Sequence, residues 1–210
     1  MLLHPLACLT LVPALLAQAP LPPERIPAEL ERLLSRTFKA DAPGAAVLVL
    51  RGGKVLLRKG YGLASVELGV PMAPDAVLHV ASVGKQFTAV ALLRLAEQGK
   101  VDLQAPIGTY LPDAPPAWSG ITLTHLLTHT SGIDNLWNDP AFRAHEREDW
   151  TPDQLLAWMK TKPLASAPGT RFAYATANYT LLAMVLEKVT GTPYAAHVDA
   201  TLFKPLGMTR

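Results

Sequence analysis

The sequence predicts a mixed α/β (α+β) fold in which one helix and one β-hairpin precede a long, mostly helical region. Apolar residues recur at helical spacing through residues 27–40, which indicates an amphipathic helix. Two apolar runs, 45–50 and 55–57, flank the pair Gly52-Gly53, a pattern typical of a hairpin with a two-residue turn. Beyond Tyr61 the apolar residues follow helical spacing, and no convincing second pair of strands is found.

The helical region is assembled from segments with apolar periodicity and suitable end residues. Gly99 and Gly191 are suited to the position just past a helix, and Thr151 is suited to the cap before one. The first predicted helix begins near Ser82 and ends before Gly99. The later ones cover residues 122–128, 152–160, 181–189 and 193–203.

The predicted hairpin is apolar on both faces, so we expect other elements to cover both sides of its sheet. A two-stranded hairpin is marginally stable alone in water, and exposed strand edges favour aggregation. The hairpin therefore predicts that further strands complete the sheet.

Composition limits the classes of function. The chain has 210 residues, half of them hydrophobic, and a formal net charge of +2, which suits one compact domain or two small ones that share a core. It contains no basic cluster, so the sequence gives no support for binding of nucleic acid. Cys8 is the only cysteine, and no disulfide is expected.

Residues 1–19 resemble a secretory signal peptide. They contain no Lys, Arg, Asp or Glu, residues 6–16 are apolar apart from Thr10, and Ala17-Gln18-Ala19 has the small-x-small form of a cleavage site. We therefore expect a secreted or periplasmic protein whose mature chain, residues 20–210, has no membrane span. Residues 20–65 would carry the helix and hairpin, and residues 66–210 the mostly helical part.

The stretch with most chemical content is residues 81–88, with the sequence ASVGKQFT. If a helix begins near Ser82, Lys85 lies one turn later on the same face, so the hydroxyl and the amine can meet. A serine is a weak nucleophile unless a neighbouring group can take its proton, and Lys85 is such a group. The alternative is that Ser82 only caps the helix and Lys85 is only solvated.

Other chemistries fit the sequence less well. His79 and Gln86 occupy positions where a phosphate-binding loop needs Gly and Ser or Thr. His125 and His129 have the spacing of a zinc-protease helix, but Leu126 replaces its catalytic Glu and no third ligand is evident. No Gly-x-Ser-x-Gly motif is present. We therefore expect no metal and no cofactor.

Six short motifs together resemble the serine β-lactamase-related hydrolases, a family that includes class C β-lactamases, D-alanyl-D-alanine carboxypeptidases and related esterases. The similarity extends over residues 42–210. Its motifs, in chain order, are Pro43-Gly44-Ala45, Tyr61-Gly62-Leu63-Ala64, the stretch 81–88, Leu126-Leu127-Thr128-His129-Thr130-Ser131-Gly132, Pro168-Gly169-Thr170-Arg171-Phe172-Ala173-Tyr174 and Pro205-Leu206-Gly207-Met208-Thr209.

The resemblance assigns roles to residues at matching positions. It implies that Ser82 is the acyl-accepting nucleophile, that Lys85 assists it, and that Tyr174, the Tyr of a Tyr-x-Asn motif, transfers protons to and from Ser82 and the leaving group. The Asn of that motif is replaced by Thr176, with Asn178 two residues on, and we expect these two residues to contact substrate. The segment 129–132 is expected to form an architectural turn.

The resemblance also implies a third motif, Lys or His followed by a small residue and Gly, on a later strand that supplies an oxyanion-binding amide. The chain ends before that region, which would leave the hairpin without its partner strands, so we expect the N-terminal part of a β-lactamase/transpeptidase-like fold. The implied reaction is acyl transfer through acyl-Ser82 on a small-molecule β-lactam, a D-Ala peptide of the peptidoglycan type, or an ester. An inert remnant or a ligand-binding module is the alternative, and the sequence does not indicate an oligomeric state.

Overall fold

The computed structural model describes residues 21–208, which form two compact units, residues 21–78 and residues 79–208. The predicted signal peptide lies outside the described residues. Helices and small sheets are both present, in agreement with the mixed class predicted from the sequence. No helix in the described part of the chain is long and apolar enough to cross a membrane.

The first unit contains the predicted helix and hairpin. Helix α1 spans Ile26–Thr37, strand β1 spans Ala45–Arg51 and strand β2 spans Lys54–Tyr61. The two strands are antiparallel and are joined by Gly52-Gly53, whose φ values of 55° and 76° are those a two-residue hairpin turn requires. The turn prediction is therefore confirmed.

Polar contacts connect α1 to β2. The Glu31 carboxylate accepts hydrogen bonds from Lys59 Nζ at 2.6 Å and from Tyr61 Oη at 2.8 Å. The hydrogen bond from Lys59 and, to a smaller extent, the one from Tyr61 lower the pKa of Glu31. Burial raises the pKa of Tyr61 to about 12. These contacts hold the helix against the strand at one end of the hairpin.

Leu48, Leu50 and Val55 are each more than half exposed, so the described residues do not cover both faces of the hairpin, and its completion by further strands stays a prediction. One expectation for this unit was wrong, because a second pair of strands exists, β3 at Leu63–Ser65 and β4 at Val70–Pro71. These strands have only three and two residues, which is too short to produce an apolar alternation in sequence.

The pairing of β3 with β4 keeps the segment after the hairpin in the first compact unit. Met72 N donates to Gly62 O at 2.9 Å, which holds the segment after β4 beside the hairpin. In the structure the first compact unit ends at Leu78.

The second unit is helical and contains every predicted helix. Its helices are α2 at Lys85–Glu97, α3 at Leu123–Leu127, α4 at Pro140–Arg143, α5 at Pro152–Lys160, α6 at Thr176–Thr190 and α7 at Tyr194–Val198. Helix α4 was not predicted, and α6 begins at residue 176 rather than 181. A π-helical turn, Asp199–Phe203, continues α7. Thr151 accepts a hydrogen bond from Gln154 N and so caps α5 as predicted, and Gly191 ends α6 with φ of 64°.

Helix α6 is the centre of this unit because it contacts α2, α3, α5 and α7. Its buried face includes Leu181, Leu182 and Val185, all fully inaccessible to solvent. From α2 the core receives Leu92 and Leu95, which are 0% and 2% exposed. This apolar contact fixes the start of α2 and the segment before α6 in one rigid body.

The turn at Gly132 depends on the absence of a side chain. Gly132 has φ of 82°, and a Cβ atom added there would lie 2.0 Å from the carbonyl oxygen of Ser166. Gly132 O also accepts a hydrogen bond from Ala165 N at 2.8 Å, so the two backbone segments cannot separate without losing that bond. Gly191, with φ of 64°, has open space at the same position.

We predict that Gly132→Ala destabilises the protein by about 3 kcal/mol or more, because it combines an unfavourable φ with a backbone clash. Gly191→Ala, the matched control, has the unfavourable φ alone and should cost about 1 kcal/mol. Urea unfolding followed by tryptophan fluorescence measures both. Equal losses for the two variants would contradict the close approach at Gly132.

Candidate active site

Ser82 lies in a tight turn that leads directly into α2. The turn, Ala81–Gly84, is a 3-10 helix, and Lys85 is the first residue of α2. Ala81 has φ of 44°, in the left-handed region that an L-alanine enters at a cost of about 1 to 2 kcal/mol. Strain of this kind is concentrated at functional sites, where the surrounding structure holds a residue in an unfavourable conformation.

The structure brings Ser82, Lys85 and Tyr174 together. Lys85 Nζ donates to Ser82 Oγ at 3.1 Å, and the hydroxyls of Ser82 and Tyr174 share a hydrogen bond of 2.7 Å. Tyr174 belongs to the extended segment just before α6, so its approach to Ser82 depends on the packing of α6 against α2. Ser82 is exposed and Tyr174 is 42% exposed, so both residues are accessible to solvent.

The environment of Tyr174 favours its ionised form. Lys85 Nζ lies 5.2 Å from the centre of the Tyr174 ring. The interaction with Lys85 and, to a smaller extent, the hydrogen bond with Ser82 lower the pKa of Tyr174 below its usual value near 10. The arrangement thus places an acidified phenol, an amine and an exposed serine hydroxyl within one hydrogen-bonded group.

His129 lies beside Tyr174, which the sequence did not indicate. The ring centres of His129 and Tyr174 are 4.5 Å apart, and the turn at 129–132 was expected only to be architectural. His129 has φ of 56°, so the predicted tight turn is present. Burial, and then the positive charge of Lys85, lower the pKa of His129.

The structure contradicts the expectation that Asn178 contacts substrate. Its side chain is 0% exposed, and both ends of its carboxamide bond other residues of the protein. Ser131 Oγ donates to Asn178 Oδ1 at 2.7 Å, and Asn178 Nδ2 lies 3.1 Å from His129 Nδ1. The reason is helical geometry, because residue 178 lies on the face of α6 that enters the core.

Thr176 is partly buried and contacts a residue that the sequence analysis missed. Its hydroxyl donates to Asn135 Oδ1 at 3.0 Å, and its backbone N–H donates to the same oxygen at 3.5 Å. Ala175, at the N-cap of α6, has no side-chain acceptor, so Asn135 supplies one from another part of the chain. Asn135 Nδ2 has no hydrogen-bond partner among residues 21–208.

Asn135 also lines a cavity of about 360 Å³ within the second unit. Most of its other lining residues are apolar, and they include Trp118, Ile133, Leu136, Met159 and Leu164. Ser82, Lys85 and Tyr174 do not line it. The cavity is large enough for a small apolar group, and the Asn135 carboxamide lies at its edge.

The two histidines considered as a zinc site have separate structural partners. His125 Nδ1 accepts a hydrogen bond from Thr122 N, whereas His129 Nδ1 accepts one from Ala175 N. No group of three or more His, Cys, Asp or Glu side chains that could hold a metal ion is present in the part of the chain that the structure describes. Residues 21–208 also contain no Lys or His followed two positions later by Gly.

Comparison with known proteins places the chain among relatives about twice its length. It is 37% identical to the esterase EstB of Burkholderia gladioli, over 79% of this chain and 45% of the esterase. Among solved structures, the octameric penicillin-binding protein homologue from Pyrococcus abyssi is 30% identical with a TM-score of 0.73, over 88% of this chain and 43% of that one. The D-amino acid amidase of Ochrobactrum anthropi SV3 is 28% identical with a TM-score of 0.69, over 79% and 45% of the two chains.

The family model described as Beta-lactamase matches residues 29–210, which is most of the sequence. The match includes most of the first compact unit, all of the second, and every residue of the hydrogen-bonded group around Ser82. The resemblance inferred from the short motifs is confirmed, and the chain belongs to the beta-lactamase family of serine β-lactamase-related hydrolases.

Proposed function

We propose that the protein is a serine hydrolase that transfers an acyl group to Ser82 and then to water. The observation that carries the proposal is the position of Ser82 Oγ, 3.1 Å from Lys85 Nζ and 2.7 Å from Tyr174 Oη. A serine hydroxyl needs a nearby base to become a nucleophile, and these distances permit direct proton transfer. The family membership and the hydrolases among its relatives support this reading.

In the proposed acylation step, the Tyr174 phenolate takes the proton of Ser82 as Ser82 Oγ attacks the carbonyl carbon of the substrate. The new bond is between Oγ and carbon, and the bond that breaks joins that carbon to the leaving oxygen or nitrogen. Tyr174 then gives its proton to the leaving group. The Lys85 ammonium stabilises the phenolate and helps to return the proton.

In the second step, a water molecule attacks the acyl-Ser82 carbonyl. Tyr174 takes a proton from the water, and the proton returns to Ser82 Oγ as the ester bond breaks. The relatives are named as an esterase, a penicillin-binding protein homologue and a D-amino acid amidase. We therefore propose an ester, a β-lactam or a D-amino-acid amide or peptide as the class of substrate.

We further propose that Thr176 and Asn135 contact the substrate together. The Thr176 hydroxyl donates to Asn135 Oδ1, so this bond turns the Asn135 carboxamide and leaves its two N–H donors for another acceptor. A carbonyl oxygen near the scissile bond is a suitable acceptor. The apolar cavity beside Asn135 would then receive the apolar part of the same substrate.

We predict that a fluorophosphonate probe labels Ser82 in the intact protein and that Ser82→Ala abolishes the labelling. Among the serines of residues 21–208, only Ser82 has an amine and an acidified phenol within hydrogen-bond distance, so the reaction should be confined to it. Lys85→Met and Tyr174→Phe should each slow the reaction by about 100-fold or more, the usual contribution of a positioned proton-transfer group. In-gel fluorescence against time measures the rates.

Ser119→Ala is the matched control, because Ser119 is also exposed but lies outside the group. It should label at the rate of the parent protein. Labelling that persists in Ser82→Ala, with that variant folded, would overturn the proposed nucleophile.

We predict that the labelling rate rises with pH and reaches half of its maximum below pH 10. The base must be deprotonated to act, and Lys85 and Ser82 lower the pKa of Tyr174, so ionisation is complete at a lower pH than for a free phenol. In Lys85→Met the pKa of Tyr174 should return towards about 10, and the rise in rate should move with it. An unchanged midpoint in Lys85→Met would show that Tyr174 is not the group that titrates.

We predict that Asn135→Asp selectively slows acylation by substrates that carry an amide carbonyl. The variant keeps an acceptor for Thr176 but replaces the N–H donors with a carboxylate that repels a carbonyl oxygen. The rate with p-nitrophenyl N-acetylglycinate should fall about tenfold, and the rate with p-nitrophenyl butyrate should stay within about twofold.

Asn138→Asp serves as the control, because Asn138 lines the same cavity but donates to Asp134. It should leave the ratio of the two rates unchanged. Equal losses with both esters in Asn135→Asp would contradict a substrate contact at Asn135.

A further inference from the structure

His129 makes contacts that its expected place in a turn does not require. It was assigned only a place in a turn, yet its hydrogen bonds reach the backbone on both sides of Tyr174. Its carbonyl oxygen accepts from Ala173 N at 2.8 Å, and its Nδ1 accepts from Ala175 N at 3.3 Å. The backbone N–H groups of the residues before and after Tyr174 therefore both donate to His129.

The side chain of His129 also supports the Tyr174 ring directly. The two ring centres are 4.5 Å apart, and the ring planes are 37° from parallel. The ring centre of Tyr179, a residue of α6, lies 5.2 Å from that of the imidazole. Aromatic pairs at such distances add to the stability of one arrangement of the rings. Together with the backbone bonds, this contact leaves the Tyr174 phenol little freedom to move from Ser82.

A buried chain of hydrogen bonds fixes the tautomer of the imidazole. Ile133 N donates to Ser131 Oγ at 3.1 Å, and Ser131 Oγ donates to Asn178 Oδ1 at 2.7 Å. The amide nitrogen of Asn178 is then directed at His129 Nδ1, 3.1 Å away. Because Ala175 N and Asn178 Nδ2 both donate to Nδ1, the proton of the neutral ring is on Nε2.

We propose that His129 is a positioning residue that holds the Tyr174 phenol against the Ser82 hydroxyl, and that it does so only as the neutral imidazole. A proton on Nδ1 would point at two N–H donors and would break both bonds. The inference rests on the proposed function for its link to activity, but the contact between His129 and Tyr174 is independent of it.

The surroundings of His129 oppose its protonation. The titratable groups that face the ring from the elements packed against it are Lys85 on α2, Tyr174 before α6 and Tyr179 on α6. Burial and the Lys85 charge lower the pKa of His129, so the neutral form predominates at neutral pH and is lost only as the pH falls through that lowered value.

The test uses two variants of His129 in the full chain. His129→Asn keeps an acceptor near the position of Nδ1, tolerates the positive φ and does not titrate. His129→Gly tolerates the same φ but removes both the acceptor and the ring. His125→Asn is the matched control, because His125 bonds Thr122 and does not contact Tyr174.

The first measurement is the rate of Ser82 labelling by a fluorophosphonate from pH 4.5 to 9, with tryptophan fluorescence to verify folding at each pH. For the parent protein, a plot of the logarithm of the rate against pH should have a slope of one where only Tyr174 gains a proton as the pH falls. At lower pH, where His129 also gains a proton, the slope should become two. His129→Asn should keep slope one throughout and stay within about threefold of the parent at neutral pH. His129→Gly should be at least about tenfold slower, and His125→Asn should follow the parent.

The second measurement does not require acylation. Ultraviolet absorbance at 295 nm, taken as the difference from Tyr174→Phe, follows ionisation of the Tyr174 phenol. In the parent and in His129→Asn the pKa of Tyr174 should lie below 10, whereas in His129→Gly the phenol leaves Lys85 and its pKa should return towards 10.

The outcomes separate the two claims. Suppose that Ser82 is not labelled, but that the pKa of Tyr174 rises in His129→Gly and not in His129→Asn. This result would overturn the proposed hydrolase and support the positioning role. A Tyr174 titration unchanged in His129→Gly, or a slope of two retained in His129→Asn, would overturn the positioning role whether or not Ser82 reacts.

Discussion

The hydrogen bond between the Ser82 and Tyr174 hydroxyls is the contact on which the rest of the site depends. It joins the turn before α2 to the segment before α6, two parts of the chain that are far apart in sequence. The contact exists because the apolar faces of α2 and α6 pack together, with Leu92, Leu181 and Leu182 fully buried. Burial of such side chains contributes about 1.5 to 3 kcal/mol each, so the core readily stabilises a polar group at its edge.

Strain is found at two places beside this contact. Ala81 and His129 are the two non-glycine residues with positive φ in the part of the chain that the structure describes. Ala81 precedes the serine, and His129 bonds the backbone on either side of the tyrosine. Backbone conformations of this kind persist only where the surrounding packing is strong enough to maintain them.

Much of the helical unit could be predicted because local signals were sufficient. Thr151 marked the start of α5 and Gly191 the end of α6, since capping groups and left-handed glycines leave a direct signature in sequence. The hairpin turn was equally local. Strands β3 and β4 had no such signature, because strands of two or three residues cannot display an alternation.

The site itself was only partly predictable. Spacing alone could relate Ser82 to Lys85, but the resemblance to a family was needed to add Tyr174. Asn135 and the imidazole of His129 were missed because their partners lie about 40 residues away in sequence, at Thr176 and Ala175, and no short-range pattern records such contacts. Asn178 was misassigned for the related reason that a motif position does not state which face of a helix it occupies.

A crystal structure of the protein after reaction with a small fluorophosphonate would test the contact between Ser82, Lys85 and Tyr174 directly. We expect phosphorus bonded to Ser82 Oγ, with Lys85 Nζ and Tyr174 Oη still within hydrogen-bond distance of that oxygen. Phosphorus bonded to any other residue, or a Tyr174 ring displaced from Ser82 and His129 in the adduct, would contradict this expectation.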